Sequence, residues 1–164
     1  MREEGSISIR DATSADVLAV VHCLAEAFEE YRESYTPGAF ADTVLNADAL
    51  ERRMESMCVL VAVTLSGQVV GAIAYQMVNP EEGHIRGMAV LPQAQGLGVA
   101  TQLLHAAESK LRDKKCSRIT LDTTAPLGRA IYFYERNGFR RSGRVTDFFG
   151  MSLTEYAKVL ASNC

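Results

Sequence analysis

Residues Gln93-Ala94-Gln95-Gly96-Leu97-Gly98-Val99-Ala100 stand between an apolar run, His84 to Leu91, and a segment with Ala100, Leu103, Leu104, Ala107 and Leu111 at helical spacing. A chain that passes from strand to helix through two glycines is committed to packing a helix against a sheet at that point. Glycine lets the backbone turn tightly and approach a ligand. The first N–H groups of the following helix have no intrahelical acceptor and, with the helix dipole, can hold a phosphate. The same turn can also be a plain connector. Two nucleotide readings fit it poorly. A Walker loop needs Gly-Lys-Ser/Thr, and no Lys follows Gly98; a dinucleotide fingerprint needs Gly or Ala where Thr101 stands.

The flanking sequence supplies the remaining elements. Ile7 and Ile9 alternate with polar residues over Ser6 to Arg10, which reads as a short strand. Asp11 to Ser14 offers N-caps for a helix through Val17, Val20, Val21, Leu24 and Phe28, predicted to end near Glu33. Tyr35 to Asn46, with Pro37-Gly38, reads as a loop with room for a short helical piece, and Ala47 to Met57 as a second helix. Cys58 to Leu65 and Gln68 to Val78, joined by Ser66-Gly67, predict a β-hairpin. Arg118 to Thr123 follows as a strand, and Leu127 to Arg136 as a helix stopped by Asn137-Gly138. From Phe139 on, Val145, Phe148, Phe149, Met151 and Leu153 predict a terminal strand pair. The order is β-α-α-β-β-β-α-β-α-β-β, an α/β chain with a mixed sheet.

Composition narrows the function. The chain has 164 residues, 48% of them apolar and 23% charged, enough for one core without a metal or disulfide staple. No linker divides it, so residues 1–164 are read as a single domain. Lys plus Arg is 17 against 20 for Asp plus Glu, a net charge of −3 that argues against nucleic-acid binding. No apolar run approaches the roughly 18 residues of a membrane span, and Met1-Arg2-Glu3-Glu4 does not open an export leader. Cys23, Cys58, Cys116 and Cys164 are scattered, as are His22, His84 and His105, so no zinc pattern or disulfide framework is expected and no metal site is assigned. Cys23 and Cys58 read as small core residues. The cytoplasm is the expected compartment.

Three segments, in order, resemble the GCN5-related N-acetyltransferase (GNAT) family. Gln93, Gly96 and Gly98 match its Q/R-x-x-G-x-G/A turn. Met88-Ala89-Val90 is similar to the apolar strand before that turn, and Ala130-Ile131-Tyr132-Phe133-Tyr134-Glu135-Arg136-Asn137-Gly138-Phe139 to a later A-I-x-x-Y-E-x-x-G-F helix and turn. With the helices before the hairpin, the resemblance covers nearly the whole chain. It implies an acyl-CoA N-acyltransferase fold, a mostly antiparallel mixed sheet flanked by helices. It also implies acetyl-coenzyme A as cosubstrate and direct acetyl transfer to an amine: a small amine, an amino acid or a peptide.

Carried over by position, the backbone of Met88, Ala89 and Val90 would pair with the pantetheine arm. The N–H groups across Ala94, Gln95, Gly96, Leu97, Gly98 and Val99, continuing to Ala100, would cradle the pyrophosphate. The Val90 N–H is a candidate donor to the acyl oxygen. Tyr134 matches the Tyr that protonates the departing thiolate. That transfer is uphill by roughly 2 kcal/mol at ordinary pKa values, so Tyr134 needs a lowered pKa or acts by hydrogen-bonding the thiolate. Its plainer role is core packing, on one stripe with Leu127, Ala130 and Ile131; Tyr132 lies off that stripe. Two residues are candidates for taking the acceptor's proton: His84, or else a solvated strand end, and Asp122, or else a turn cap. Leu127 departs from the pattern, since many relatives have Asn there on the cofactor; Asp122, Thr123 and Thr124 are candidate substitutes.

The acceptor side of such a fold would fall at Phe28 to Phe40, where aromatic residues stand among Glu29, Glu30 and Glu33. Those carboxylates are either a solvated helix face or a seat for a cationic amine. A homodimer through Phe148 and Phe149 is a further expectation. The competing function is a non-catalytic acyl-CoA sensor, which would keep Gln93, Gly96 and Gly98 and have no need of Tyr134.

Overall fold

The computed structural model describes residues 6–160; Met1 to Glu4 and Cys164 lie outside them. The strands are β1 (Ile7–Asp11), β2 (Cys58–Thr64), β3 (Val69–Asn79), β4 (Glu82–Val90), β5 (Arg118–Thr123), β6 (Arg140–Phe148) and β7 (Met151–Val159). They form one sheet in the order β1-β2-β3-β4-β5-β7-β6, antiparallel throughout except for β4 beside β5. The helices are α1 (Val17–Phe28), α2 (Pro37–Thr43), α3 (Ala47–Ser56), α4 (Val99–Asp113) and α5 (Gly128–Arg136). This is the mixed, mostly antiparallel sheet flanked by helices that the sequence predicts.

Burial explains the arrangement. Every β3 residue from Val69 to Tyr75 is buried, the signature of a strand covered on both faces. Leu103, Leu104, Ala107 and Leu111 are fully buried and press α4 onto the sheet. Glu108 on the same helix is buried too, and pairs with Lys158 of β7 at 3.0 Å.

Two local predictions fail. The first α-helix stops at Phe28, and Glu29–Ser34 tightens into a 3₁₀ stretch instead of continuing the helix to Glu33. Three residues per turn bring Phe28 and Tyr31 to the same side, with ring centroids 6.2 Å apart. Tyr35 is then buried, its hydroxyl 2.6 Å from Thr124 Oγ1. Tertiary packing of aromatics thus overrides the helical period. Cys58 is a second correction: it is exposed, not core, because it opens β2 at the sheet rim beside Asp11 and Lys110, where the covering helices end. The loop expected over Tyr35 to Asn46 is mostly α2, started by Thr36, whose side chain accepts from Ala39 N–H.

Two features open the sheet. Pairing between β4 and β5 ends at Ile85 and Leu121, although β4 continues to Val90. The β3–β4 register jumps from Ala74↔Arg86 to Ala72↔Ala89, so Gly87 and Met88 form a bulge that bends β4 away. The parallel strands therefore splay, and a cleft lies between them. The β6–β7 hairpin tip folds over one end. Thr36 Oγ1 donates to the Phe149 carbonyl at 2.8 Å, and the Phe149 ring lies so close to Gly38 that a Cβ there would meet it at 2.6 Å.

Candidate active site

The cleft between β4 and β5 has a volume of about 720 Å³ and is continuous from the Gly-rich turn to the aromatic segment after α1. Of the residues expected to hold a cofactor, Met88, Ala89, Val90, Ala94, Gln95, Gly96, Gly98, Val99 and Ala100 line it. Leu97 does not: its side chain turns to solvent, 51% exposed, which leaves only its N–H to offer.

The donors at the turn differ from the expected run. Ala94 N–H is spent on the Leu91 carbonyl at 2.9 Å and Gln95 N–H on that of Pro92 at 3.3 Å, because Pro92–Ala94 winds into a 3₁₀ turn. The intrahelical ladder of α4 begins with Gln102 N–H to the Gly98 carbonyl. The N–H groups left over are therefore those of Gly96, Leu97 and Gly98 and of the first helical turn, Val99 to Thr101. Gly96 and Gly98 both adopt left-handed φ, +80° and +82°, which side chains disfavour, and this concentrates the free donors at the positive end of α4. A pyrophosphate group fits this set.

Orientation along β4 follows from one bond. Leu91 N–H donates to the Val70 carbonyl at 2.8 Å, toward β3. Alternation along an extended strand turns the backbone polar groups of Val90 and Met88 the other way, into the cleft. The Val90 carbonyl takes a bond from Gln95 Nε2 at 3.3 Å, and its N–H remains open to the cleft.

Tyr134 lines the same cleft from α5 and is 8% exposed. Its ring packs edge-on against Phe133 and Phe139, so packing and access coexist. Burial pushes its phenol above the ordinary value, opposite to the lowering that full proton transfer to a thiolate would need. Tyr132 is exposed and lies outside the cleft.

His84 and Asp122 are brought together by the parallel pairing of β4 and β5. His84 Nε2 lies 3.6 Å from Asp122 Oδ2, and His84 Nδ1 is 2.8 Å from Thr120 Oγ1. Their side chains are 18% and 33% exposed. Burial lowers the His84 pKa against the opposing pull of Asp122, and burial raises that of Asp122 against the pull of His84. Both shifts favour neutral forms, which suits proton acceptance by His84 near neutrality. At Leu127 the expected Asn is replaced by an apolar wall. The candidate substitutes Thr124 and Thr123 are engaged by the Tyr35 hydroxyl and the Thr154 carbonyl, at 2.6 and 3.5 Å.

At the other end of the cleft Glu29 and Glu30 are exposed, as a solvated face would be, and each pairs with an arginine. Glu29 is held by Arg32 at 2.9 Å, and Glu30 by Arg129 of α5, which also reaches the Tyr31 hydroxyl at 3.1 Å. Phe28, Tyr31, Tyr35 and Phe148 line this end, together with Asp42, Arg53 and Arg86. Sequence reasoning missed Arg53, Arg86 and Arg129, since an arginine on a polar helix face or strand end carries no local signal of its tertiary partner. Among the described residues no group of three His, Cys, Asp or Glu side chains converges as a metal site, and no helix is long and apolar enough to cross a membrane.

Comparison with known proteins places this geometry. A family model described as the acetyltransferase (GNAT) family matches residues 20–139. N-alpha-acetyltransferase 30 of Schizosaccharomyces pombe is 28% identical over 81 residues, 49% of this chain and 54% of that protein, so the chain spans about half the length of the curated relative it matches. Ribosomal-protein-alanine N-acetyltransferase from Brucella melitensis is 25% identical, with a TM-score of 0.72 over 93% of this chain and 99% of that one. The PaiA N-acetyltransferase of Thermoplasma acidophilum, solved with coenzyme A, shares the fold at 18% identity and a TM-score of 0.77, over 94% and 99% of the two chains. The matched span runs from α1 through the splayed strands and the Gly-rich turn to Phe139, and on that ground the chain belongs to the acetyltransferase (GNAT) family of acyltransferase enzymes.

Proposed function

We propose that this chain is an acetyl-coenzyme A-dependent N-acetyltransferase acting as a single domain on a primary amine, whether a small amine, an amino acid or a peptide. The observation that carries the reading is the set of unspent N–H groups from Gly96 to Thr101 at one end of a cleft that the Val90 N–H and Tyr134 also line. The neighbour solved with coenzyme A and the N-terminal acetyltransferase relative support it. The cosubstrate supplies an activated thioester. The amides of Gly96 to Thr101 hold its pyrophosphate, and Met88 and Val90 offer backbone groups to its arm. The Val90 N–H stabilises negative charge on the acyl oxygen as the amine nitrogen bonds to the acyl carbon.

Two proton movements remain. The incoming ammonium must lose a proton, because at a pKa of about 10.4 it is not nucleophilic at neutral pH. His84, kept neutral by burial and held by Thr120, takes that proton, directly or through Asp122 or water. As the C–S bond breaks, the nitrogen sheds its second proton, which passes through water to the sulfur to give free coenzyme A, and meanwhile the Tyr134 hydroxyl hydrogen-bonds the thiolate. Its raised pKa makes it a donor that keeps most of its proton. In the cytoplasm, the compartment this reading assigns, the free thiols of Cys23, Cys58 and Cys116 would stay reduced.

The test is a pair of measurements. Titration calorimetry should show coenzyme A binding, and an acceptor screen should show free coenzyme A released from acetyl-coenzyme A only when an amine is present. A protein that binds the cofactor but releases none with any amine is the sensor instead.

A further inference from the structure

Three charged side chains converge at the acceptor end of the cleft from three different elements. Asp42 of α2 pairs with Arg86 of β4, with Arg86 Nη2 3.2 Å from Asp42 Oδ2. Arg53 of α3 reaches over the β4 bulge, so close that a Cβ on Gly87 would lie 3.2 Å from its Nη1. Its own hydrogen bond is to a neutral group, the Asp42 backbone carbonyl, at 3.5 Å. Among the described residues no carboxylate lies within ion-pair distance of Arg53. The two guanidiniums share one paired carboxylate along the cleft wall, with Arg86 and Asp42 themselves 40% and 41% exposed. Partial burial and the neighbouring Arg86 charge press the Arg53 pKa down to about 10 against the pull of Asp42, so the guanidinium stays protonated at neutral pH with only a carboxylate that Arg86 already pairs nearby.

The position of this charge relative to the reacting end is fixed by β4. His84 and Arg86 lie two residues apart on one strand, which places them on the same side about 6.5 Å apart along the chain. An acceptor whose amine sits at His84 and Asp122 would therefore bring a substituent a few bonds away to Arg86 and Arg53. A planar fork of N–H donors matches the two oxygens of a carboxylate.

We propose that Arg53 and Arg86 form a carboxylate subsite, so that the acceptor is an amine carrying a carboxylate a few bonds from its nitrogen. This rests on the N-acetyltransferase reading above and narrows its substrate class. The carboxylate has two sources: the α-carboxylate of a free amino acid, or an Asp or Glu side chain near a peptide N-terminus.

The experiment measures coenzyme A release in two arms. One compares free amino acids with their amides; the other compares peptides bearing Asp or Glu at the first two positions with Asn and Gln counterparts. The carboxylate member should lead by at least about tenfold in kcat/KM in one arm, which identifies the source. Arg53→Gln and Arg86→Gln should each collapse that preference through the KM of the acidic acceptor, and Arg53→Lys should restore part of it. Equal use of acid and amide overturns the proposal. So does a variant that weakens both alike, since that marks a brace between α3 and β4. Turnover of neutral amines alone, or coenzyme A binding with no turnover of any acid, overturns the subsite and leaves the cofactor assignment standing. Failure to bind coenzyme A, read by calorimetry on the same protein, is the separate failure of the enzyme reading.

Discussion

The two ends of the cleft are built from different materials. At the turn end the donors are backbone N–H groups from Gly96 to Thr101, and among the described residues no lysine or arginine lines it. At the other end the lining is of side chains: His84 and Arg86 of β4, Asp122 of β5, Asp42 of α2, Arg53 of α3 and the Arg129–Glu30 tie converge from several elements. The contrast has a physical cause. A pyrophosphate can be held by a turn and a helix start that are contiguous in the chain. Charges of both signs around one point, as the proposed acceptor seat needs, take side chains from more than one segment. A net charge of −3 does not oppose the anionic cofactor proposed above, because amide dipoles are invisible to a count of Lys and Arg.

Tyr134 lies where the two ends meet, and the largest effect is expected there. Tyr134→Phe should lower kcat about a hundredfold with a smaller change in KM, measured by steady-state coenzyme A release. A full-rate Tyr134→Phe enzyme would move thiolate stabilisation elsewhere.

Next in size is the backbone end. Gly98→Val puts a β-branched side chain at a φ of +82°, a strain of roughly 1–2 kcal/mol that the turn can relieve only by moving its donors. Coenzyme A affinity by calorimetry should weaken about tenfold. Retained affinity would show that side chains, not the turn, hold the phosphates.

At the acceptor end the expected signature is pH dependence. His84 is faced by Asp122 of β5, Glu155 of β7 and, on its own strand, Glu82 and Arg86, and burial lowers its pKa. Neutral His84 therefore persists below the ordinary value of about 6.5, so kcat/KM should fall only as pH drops through that lowered pKa. Because Asp122 favours the protonated ring, Asp122→Asn should shift this acidic limb to still lower pH, while His84→Gln should remove it. If Asp122→Asn removes the limb and His84→Gln leaves it, the roles are reversed.

The smallest effect belongs to the rim. Glu30→Gln cuts the exposed tie to Arg129 between the 3₁₀ stretch and α5. Exposed pairs contribute little, so the acceptor KM should rise about threefold at most. A larger rise would mean that this tie shapes the acceptor seat itself.

Much of the frame was legible before any coordinates. The apolar run of β3, the stripe of α4 and the glycines at Gly96 and Gly98 are patterns within one segment, and each formed as predicted. The corrections fall where a segment answers to a distant one. The end of α1 at Phe28 is decided by Tyr35 packing near Thr124, and the donors of Ala94 and Gln95 are spent by a 3₁₀ turn that the spacing of glycines does not announce. Glu29 and Glu30, read as either a solvated face or a seat for a cationic amine, stay exposed; Glu29 pairs locally with Arg32, and Glu30 with Arg129 of α5.

The sequence by itself determined the strands and their order, the long helix α4 and the Gly-rich turn before it, because period and glycine conformations act over a few residues. Only the tertiary structure decided the chemistry of the acceptor end. The splay of β4 from β5 opens the cleft, the parallel register sets His84 beside Asp122, and α3 carries Arg53 over the bulge at Gly87. Those pairings are between residues far apart in the chain, and charge or proton exchange depends on distance in space, which spacing along a sequence does not encode.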